Sequence, residues 1–314
     1  MASLLWNKCT FICSSTYNYL KPYICCSSIK SRESINGRQI IINRRTPVGE
    51  GAFSIVYDCV DVRTNEKLAL KELLCQSSEQ LELARREIRA HETIGTHPGI
   101  LTLYDSVEVP WGRRSNGNRG GHGMLVKLLL PLMSNGSLYD NIQTMGRMKE
   151  RIALRLFRSL CSAVHKIHSC GLAHRDIKPH NVLLTKQGDP VLMDFGSCAE
   201  VPLRITSRKQ AIMLQDEAAQ LCSQPYRAPE LFDVSSDMEI NEKLDVWSLG
   251  CVLYSMTYGK GYSPYEIQWK NNEPIPCQVT LSAVINTIKT PKTIENLYSN
   301  GKYSSSEEDF LFDF

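Results

Sequence analysis

The run His174-Arg175-Asp176-Ile177-Lys178-Pro179-His180-Asn181-Val182-Leu183-Leu184 constrains this chain more than any other stretch. It sets an aspartate, a lysine and an asparagine a few residues apart, immediately before a short apolar run. A second run, Asp194-Phe195-Gly196, follows close behind and adds another carboxylate beside a glycine. The joining region, residues 175–193, has the composition of short strands and turns. Because carboxylate oxygens are ligands that magnesium prefers, this region is the first candidate for the chemistry of the chain.

The remaining pattern places strands first and helices later, which predicts an α+β fold in two lobes. We predict strands at residues 39–42, 54–60, 67–71 and 124–130, and helices at residues 79–94, 154–168 and 244–258. Residues 111–123, rich in glycine, arginine and asparagine, are predicted to form a long loop. A cysteine-containing, basic tail at residues 1–38 precedes the domain at residues 39–314, whose lobes divide at about residue 133.

Composition narrows the function classes. The 314 residues are 42% hydrophobic and 22% charged, which is typical of a soluble globular protein. A net charge of +3 is too small to indicate nucleic-acid binding. Twelve cysteines without a secretory signal are expected to be reduced thiols of a cytosolic protein. No apolar run approaches the roughly 18 residues that span a bilayer, so we expect no transmembrane helix.

A glycine turn between two predicted strands is the next candidate element. It reads Gly49-Glu50-Gly51-Ala52-Phe53-Ser54-Ile55-Val56, and glycines let a backbone approach phosphate oxygens closely. Alone, such a turn is about as often an ordinary hairpin. Lys71 lies on the following strand and Glu87 in the following helix. Taken by themselves, these two side chains are as well explained by unrelated surface positions.

Together with Ala228-Pro229-Glu230 and residues 245–250 (DVWSLG), these segments resemble the catalytic domain of eukaryotic protein kinases in both order and spacing. The resemblance implies an enzyme that moves the γ-phosphate of ATP to protein hydroxyl groups. It implies Asp176, Lys178, Lys71 and Glu87 as catalytic residues, and Asn181 and Asp194 as ligands of Mg²⁺, with Mn²⁺ as an alternative. The implied nucleotide contacts are Val48, Gly49, Glu50, Gly51, Ala52, Phe53, Ser54, Ile55, Val56, Ala69, Lys71, Leu130, Pro131, Met133 and Leu183.

Within the kinases, residues 188–197, 207–211 and 214–222 resemble the Numb-associated family, and in particular its myristoylated and palmitoylated serine/threonine members. That resemblance implies serine/threonine specificity, with Lys178 as the residue typical of this class. It implies autophosphorylation, which we expect at Thr206, Ser207 or Ser223. It also implies an unusual helix near the activation segment, the stretch that Ala228-Pro229-Glu230 closes, and we expect this helix at residues 233–243.

The same resemblance implies a Golgi or perinuclear membrane location through acylation. Cys25 and Cys26 align with palmitoylated cysteines, and Lys21, Lys30 and Arg32 add positive charge beside them. Residue 2 is alanine, however, so the glycine needed for myristoylation is absent. A cytosolic tail without acylation remains the alternative.

A second reading is a catalytically impaired kinase that acts as a binding or scaffold module. Kinases pair the glutamate of Ala228-Pro229-Glu230 with an arginine late in the second lobe, and no arginine follows Arg227 here. We therefore expect a second lobe that is incomplete at its C-terminal end, with a largely buried Glu230 lacking its partner. A tyrosine-directed enzyme is a third reading, against which Lys178 and Ser223 argue.

Overall fold

The computed structural model describes residues 30–51, 53–111, 123–270 and 273–277, together with residues 279, 282 and 284. Its strands are β1 (Lys30–Ile35), β2 (Arg38–Asn43), β3 (Gly49–Glu50), β4 (Ser54–Asp61), β5 (Lys67–Cys75), β6 (Asp105–Trp111), β7 (Gly123–Pro131), β8 (Leu172–Ala173), β9 (Val182–Leu184), β10 (Pro190–Leu192), β11 (Ala199–Glu200), β12 (Leu203–Ile205), β13 (Met238–Ile240), β14 (Ile267–Lys270) and β15 (Glu273–Pro276). The α-helices with described bounds are α1 (Ser78–Ile94), α2 (Leu138–Met145), α3 (Glu150–Ser169), α4 (Arg208–Leu221) and α5 (Lys243–Thr257). Strands dominate the first lobe and helices the second, which confirms the predicted α+β, two-lobed fold.

The first lobe is an antiparallel sheet in the order β1-β2-β4-β5-β7-β6, with β3 paired to β4. Along β4, half-buried and buried side chains alternate, as expected when successive residues point to opposite faces. The buried face packs a core that includes Ile40, Ile42, Tyr57 and Leu70. The sheet begins earlier than the sequence indicated, because β1 lies inside the range 1–38 that was predicted to be tail and pairs along its length with β2.

Helix α1 packs against β5 and β7 of the sheet, and its buried residues recur at helical spacing. Ser77 caps its N-terminus by accepting a hydrogen bond from the Gln80 backbone N–H, and Gly95 ends it with a positive φ of 69°. Its buried residues are Ala84, Glu87, Ala90, His91 and Ile94, which share one helical face. The sequence therefore turns Glu87 and His91 toward the space between the lobes.

The second lobe is built on two helices that the sequence predicted. Helix α3 buries Leu156, Leu160, Ala163, Val164 and Ile167, spaced three and four residues apart. This stripe packs in one cluster with Leu249, Val252 and Met256 of α5. Helix α2, which precedes α3 in the sequence, begins with a capping box formed by Ser137 and Asp140.

The helix expected at residues 233–243 is not found at that position. The α-helix nearest to that position before Glu230 is α4, Arg208–Leu221, and Ser207 caps it by accepting from the Gln210 backbone N–H. Residues 233–243 instead contain β13, whose Met238 and Ile240 pair with β12. Ile240 is buried in the same cluster as Ala211, Leu214 and Ala218 of α4, so the two elements share one apolar core.

Several expectations fall outside the described residues. They are the tail cysteines Cys25 and Cys26 with Lys21, Ala52 of the glycine turn, most of the loop predicted at residues 111–123, and the C-terminal stretch from residue 285 onward. Within the described residues, the helices are too short or too polar to cross a bilayer.

Candidate active site

A cavity of about 490 Å³ lies between the sheet and the helical lobe. Most of the predicted nucleotide contacts line it, namely Val48, Gly49, Glu50, Gly51, Ser54, Val56, Ala69, Lys71, Leu130, Pro131, Met133 and Leu183. The predicted residues Glu87, Lys178, Asn181 and Asp194 line it as well. The structure thus brings residues from six separate segments of the chain to one concave site of the size that suits a small ligand.

Two predicted nucleotide contacts do not reach this cavity. Ile55 is 1% exposed and packs in the core of the first lobe, because it alternates with Ser54 and Val56, which face the cavity. Phe53 is half-buried and packs against a cluster that includes Leu73 and Leu128. The prediction assigned every residue from Val48 to Val56 to the nucleotide, although successive side chains of a strand point to opposite faces of the sheet.

The edge of the cavity formed by the end of β7 is apolar. Leu130 is 7% exposed, and the β5–β7 ladder ends with Pro131 opposite Leu68. Because proline has no backbone N–H, it cannot donate to a ligand there. Met133, which also lines the cavity, retains its N–H as a donor on this edge.

Lys71 and Glu87 form a buried ion pair at the back of the cavity. Lys71 Nζ lies 2.7 Å from Glu87 Oε1 and 2.9 Å from Oε2, and 3.2 Å from Asp194 Oδ1. Burial disfavours the charged form of Lys71, but Asp194 and Glu87 outweigh it and raise the pKa of the ammonium group above its usual value. The same ammonium lowers the pKa of Asp194 to about 2. Lys71 and Asp194 are therefore charged at neutral pH, whereas burial raises the pKa of Glu87 although Lys71 opposes this shift.

Edge-on contacts of the Phe195 ring with two histidine rings hold the neighbouring Asp194 in place. The Phe195 ring is fully buried and meets His91 of α1 edge-on at 4.7 Å and His174 at 5.3 Å between ring centroids. His174 Nε2 also lies 3.1 Å from the Met193 carbonyl oxygen. Asp194 itself has φ 68° and ψ 79°, a left-handed conformation that costs energy for a residue other than glycine. The packing of Phe195 keeps the adjacent carboxylate aimed at Lys71.

Asp176 is the centre of a second polar cluster. Its Oδ2 accepts from Lys178 Nζ at 2.8 Å and from Asn181 Nδ2 at 2.9 Å, and its Oδ1 accepts from the Ser223 backbone N–H at 2.8 Å. Lys178 Nζ also donates to the Ser223 hydroxyl at 2.6 Å. A carboxylate offers about four lone-pair sites, so these three donors leave one on Oδ1 for a further partner.

The residues present suit a divalent cation such as Mg²⁺. The side-chain amide nitrogen of Asn181 donates two hydrogen bonds to Asp176, at 2.8 Å to its backbone carbonyl oxygen and at 2.9 Å to its Oδ2. The described residues supply no donor to its amide oxygen. The Asp194 side chain keeps 46% of its surface exposed toward the cavity, although Lys71 binds one of its oxygens. One amide oxygen and one carboxylate oxygen on the same wall are hard donors of the kind that magnesium takes.

Asp245, at the start of α5, anchors the segment that carries Asp176. Its side chain is fully buried and accepts from the His174 N–H at 2.7 Å and the Arg175 N–H at 2.8 Å, and His168 Nε2 lies 2.9 Å away. In the sequence, Asp245 was recognised only as the first residue of the motif at residues 245–250, and its bonds to the segment before Asp176 were not predicted. Its place in that motif is the one feature of the sequence that marks it out.

Glu230 is half-buried rather than largely out of water, and it has no ion-pair or hydrogen-bond partner among the described residues. The neighbouring Arg227 does not pair with it. Arg227 instead donates to the Cys222 carbonyl at 2.7 Å and lies over the Phe232 ring, 4.9 Å from its centroid. Because Glu230 remains partly exposed, its carboxylate loses less hydration than a fully buried glutamate would.

Comparisons with known proteins agree with this geometry. Residues 42–313 match the family model described as protein kinase domain. The chain is 37% identical over 265 residues to serine/threonine-protein kinase 16 from Homo sapiens, an alignment covering 82% of this chain and 81% of that protein. It is 36% identical over 265 residues to the Mus musculus protein of the same name, with the same coverage. A probable serine/threonine-protein kinase from Dictyostelium discoideum is 33% identical over 311 residues, covering 77% of this chain and 80% of that protein.

Proposed function

Because this chain belongs to the protein kinase family and is a protein serine/threonine kinase, we propose that its cavity carries out the transfer of the γ-phosphate of ATP through Asp176, Lys178, Lys71 and Glu87. The observation that carries the proposal is that the Lys71–Glu87 ion pair lines the same cavity as Lys178 and Asn181, which both donate hydrogen bonds to Asp176. Phosphoryl transfer requires positioning and charge compensation more than covalent help, and these two groups supply both.

Each side chain has a task that its contacts support. Lys71, held by Glu87, directs an ammonium group toward the phosphates, and Asp176 directs its remaining Oδ1 lone pair at the substrate hydroxyl. Lys178 places positive charge beside that hydroxyl. Asn181 and Asp194 are the groups that would hold Mg²⁺ or Mn²⁺, which, when bound, neutralises charge on the phosphates.

The contact between Lys178 and Ser223 supports serine and threonine as acceptors. Lys178 Nζ binds both Asp176 Oδ2 and the Ser223 hydroxyl, so the lysine ties the activation segment to the aspartate. The chain should therefore label a generic protein substrate from γ-labelled ATP in the presence of Mg²⁺, and phosphoamino-acid analysis should give phosphoserine and phosphothreonine. Label on tyrosine alone, or equal labelling by an Asp194→Asn variant, would contradict the assignment.

We further propose autophosphorylation at Thr206 or Ser207. Both residues are exposed at the N-terminus of α4, and the Ser207 hydroxyl is the helix cap. Ser223 is a weaker candidate because its hydroxyl accepts a hydrogen bond from Lys178. Phosphopeptide mapping after incubation with ATP alone tests the proposal, with Asp194→Asn as the control. Sites found only outside residues 197–224 would contradict it.

We also propose attachment to an internal membrane, such as the Golgi, through acylation of Cys25 and Cys26. Supporting charge lies close behind them, because Lys30 and Arg32 are exposed at alternate positions of β1. One acyl chain binds a bilayer only marginally, so two chains or one chain plus basic residues would be required. Fractionation of cells that express wild type or the Cys25→Ser, Cys26→Ser variant tests this. Equal membrane fractions for both proteins would refute it.

A further inference from the structure

Glu217, on α4, connects two arginines that lie far apart in the sequence. Its Oε1 accepts a hydrogen bond from Arg86 Nη1 of α1 and lies 3.5 Å from Arg175 Nη1. One carboxylate oxygen therefore joins α4 to α1 and to the segment that contains Asp176.

Each of these arginines immediately precedes a residue of the site. Arg86 is followed by Glu87, which binds Lys71, and Arg175 is followed by Asp176. The Arg175 side chain is 4% exposed, and Glu217 is the one carboxylate within 4 Å of it in the described part of the chain. A buried guanidinium group needs such a partner, because an unpaired charge keeps its full desolvation cost.

The position of Glu217 is itself well defined. Helix α4 buries Ala211, Leu214 and Ala218 in a cluster with residues of α5 and β13. At its C-terminal end, the Ser197 hydroxyl donates to the Leu221 carbonyl at 2.8 Å, which ties α4 to the segment directly after Asp194. Glu217 is thus presented by a packed helix rather than by a free loop.

We propose that Glu217 is a positioning residue that holds α1 and Arg175 in the arrangement required for phosphate transfer without any phosphate on the activation segment. In many kinases a phosphorylated residue of that segment supplies the negative charge that meets such arginines. Here a carboxylate already occupies that place, so phosphorylation at Thr206 or Ser207 is not required for activity. This inference rests on the roles proposed above for Glu87 and Asp176.

A first experiment compares Glu217→Gln with Asp216→Asn. Asp216 is the neighbouring carboxylate on α4, exposed and without a partner among the described residues, so it controls for loss of one charge. We expect Glu217→Gln to lower kcat/KM about tenfold, and Asp216→Asn to leave it unchanged. Glu217→Gln should also melt several degrees below Asp216→Asn, because it removes the charge that offsets the burial of Arg175. The rates of both variants are therefore compared at a temperature where circular dichroism shows each to be folded.

A second experiment shows whether the effect passes through Arg86. Arg86→Ala should also lower kcat/KM, and the double variant should be no worse than the more affected single variant, because both changes break one contact. Wild-type protein treated with a phosphatase, and shown by mass spectrometry to carry no phosphate, should keep its initial rate.

The outcomes separate this inference from the proposed function. Wild type that transfers no phosphate would remove the proposed function and this inference with it. An active wild type with an equally active Glu217→Gln variant, with fully additive losses in the double variant, or with activity that the phosphatase abolishes, would overturn the role of Glu217 alone. If Glu217→Gln fails to fold, the Arg86→Ala variant and the phosphatase experiment still decide the question.

Discussion

Replacing Asp245 by asparagine should both destabilise the second lobe and slow phosphate transfer. The carboxylate is fully buried and accepts the backbone N–H groups of His174 and Arg175 at 2.7 and 2.8 Å. An asparagine keeps the volume but offers one oxygen, so its NH₂ group faces one of the two N–H donors. Leaving a buried donor unsatisfied costs about 1–3 kcal/mol, and the remaining bond loses the strengthening that a charged acceptor provides. We therefore expect a loss of about 2–4 kcal/mol, a large share of a typical stability of about 5–15 kcal/mol.

Urea unfolding of wild type and of Asp245→Asn measures this loss, with Asp233→Asn as the matched control. Asp233 is exposed and has no hydrogen-bond partner within the described residues, so its replacement should change the midpoint little. Turnover of Asp245→Asn should also fall under conditions where it is folded, because Asp176 follows directly on the two residues that lose their anchor. If the unfolding free energies of the two variants differ by less than about 0.5 kcal/mol, the reasoning from hydrogen bonding is wrong.

Three shorter predictions concern the cavity. Lys71→Met should abolish detectable transfer in a radiolabel assay at a temperature where the variant is shown to be folded; near-normal transfer would contradict the role of the ion pair. Ser223→Ala should lower turnover about threefold to tenfold, because Lys178 loses an acceptor at 2.6 Å, and Ser223→Thr should restore it. Burial lowers the pKa of His91 from 6.5 to about 4, so the unfolded chain binds a proton first as the pH falls. Stability should therefore decline as the pH drops from about 6.5 to about 4, and a His91→Leu variant that shows the same decline would refute this.

The sequence predicted the position of a site residue correctly where its segment shows both a helical or strand periodicity and a known catalytic motif. Strand β5 presents Lys71, and α1 presents Glu87 on its buried face, as the resemblance to protein kinases implied. Lys178 donates to the Ser223 hydroxyl, whereas Asp176 accepts from the Ser223 backbone N–H, a distinction that no sequence motif specifies. Local pattern identifies which side chain is present at a site, whereas the atom that makes each bond depends on the final backbone path.

Other features lack a local signal. Strand β6 mixes charged residues and a proline with apolar residues and is half-buried along most of its length, so it shows no clear alternation. Strand β1 is short and charged, and it is ordered by pairing with β2. The contact of Glu217 with Arg86 joins positions that are 131 residues apart, and one sequence contains nothing that connects them. Such long-range ion pairs become visible only when the fold is known.

Measuring ATP binding and phosphate transfer on the same preparations, for wild type and for Asp176→Ala, tests the assigned function most directly. Calorimetry should give similar ATP affinities for the two proteins, because Asp176 does not line the cavity and its proposed role is toward the acceptor hydroxyl. Transfer to a serine/threonine substrate should fall roughly a hundredfold or more in Asp176→Ala, the range expected when a group that handles the acceptor proton is removed. A wild-type protein that binds ATP but transfers no phosphate would instead identify a binding module. An Asp176→Ala variant with undiminished turnover would show that the aspartate does not carry the chemistry.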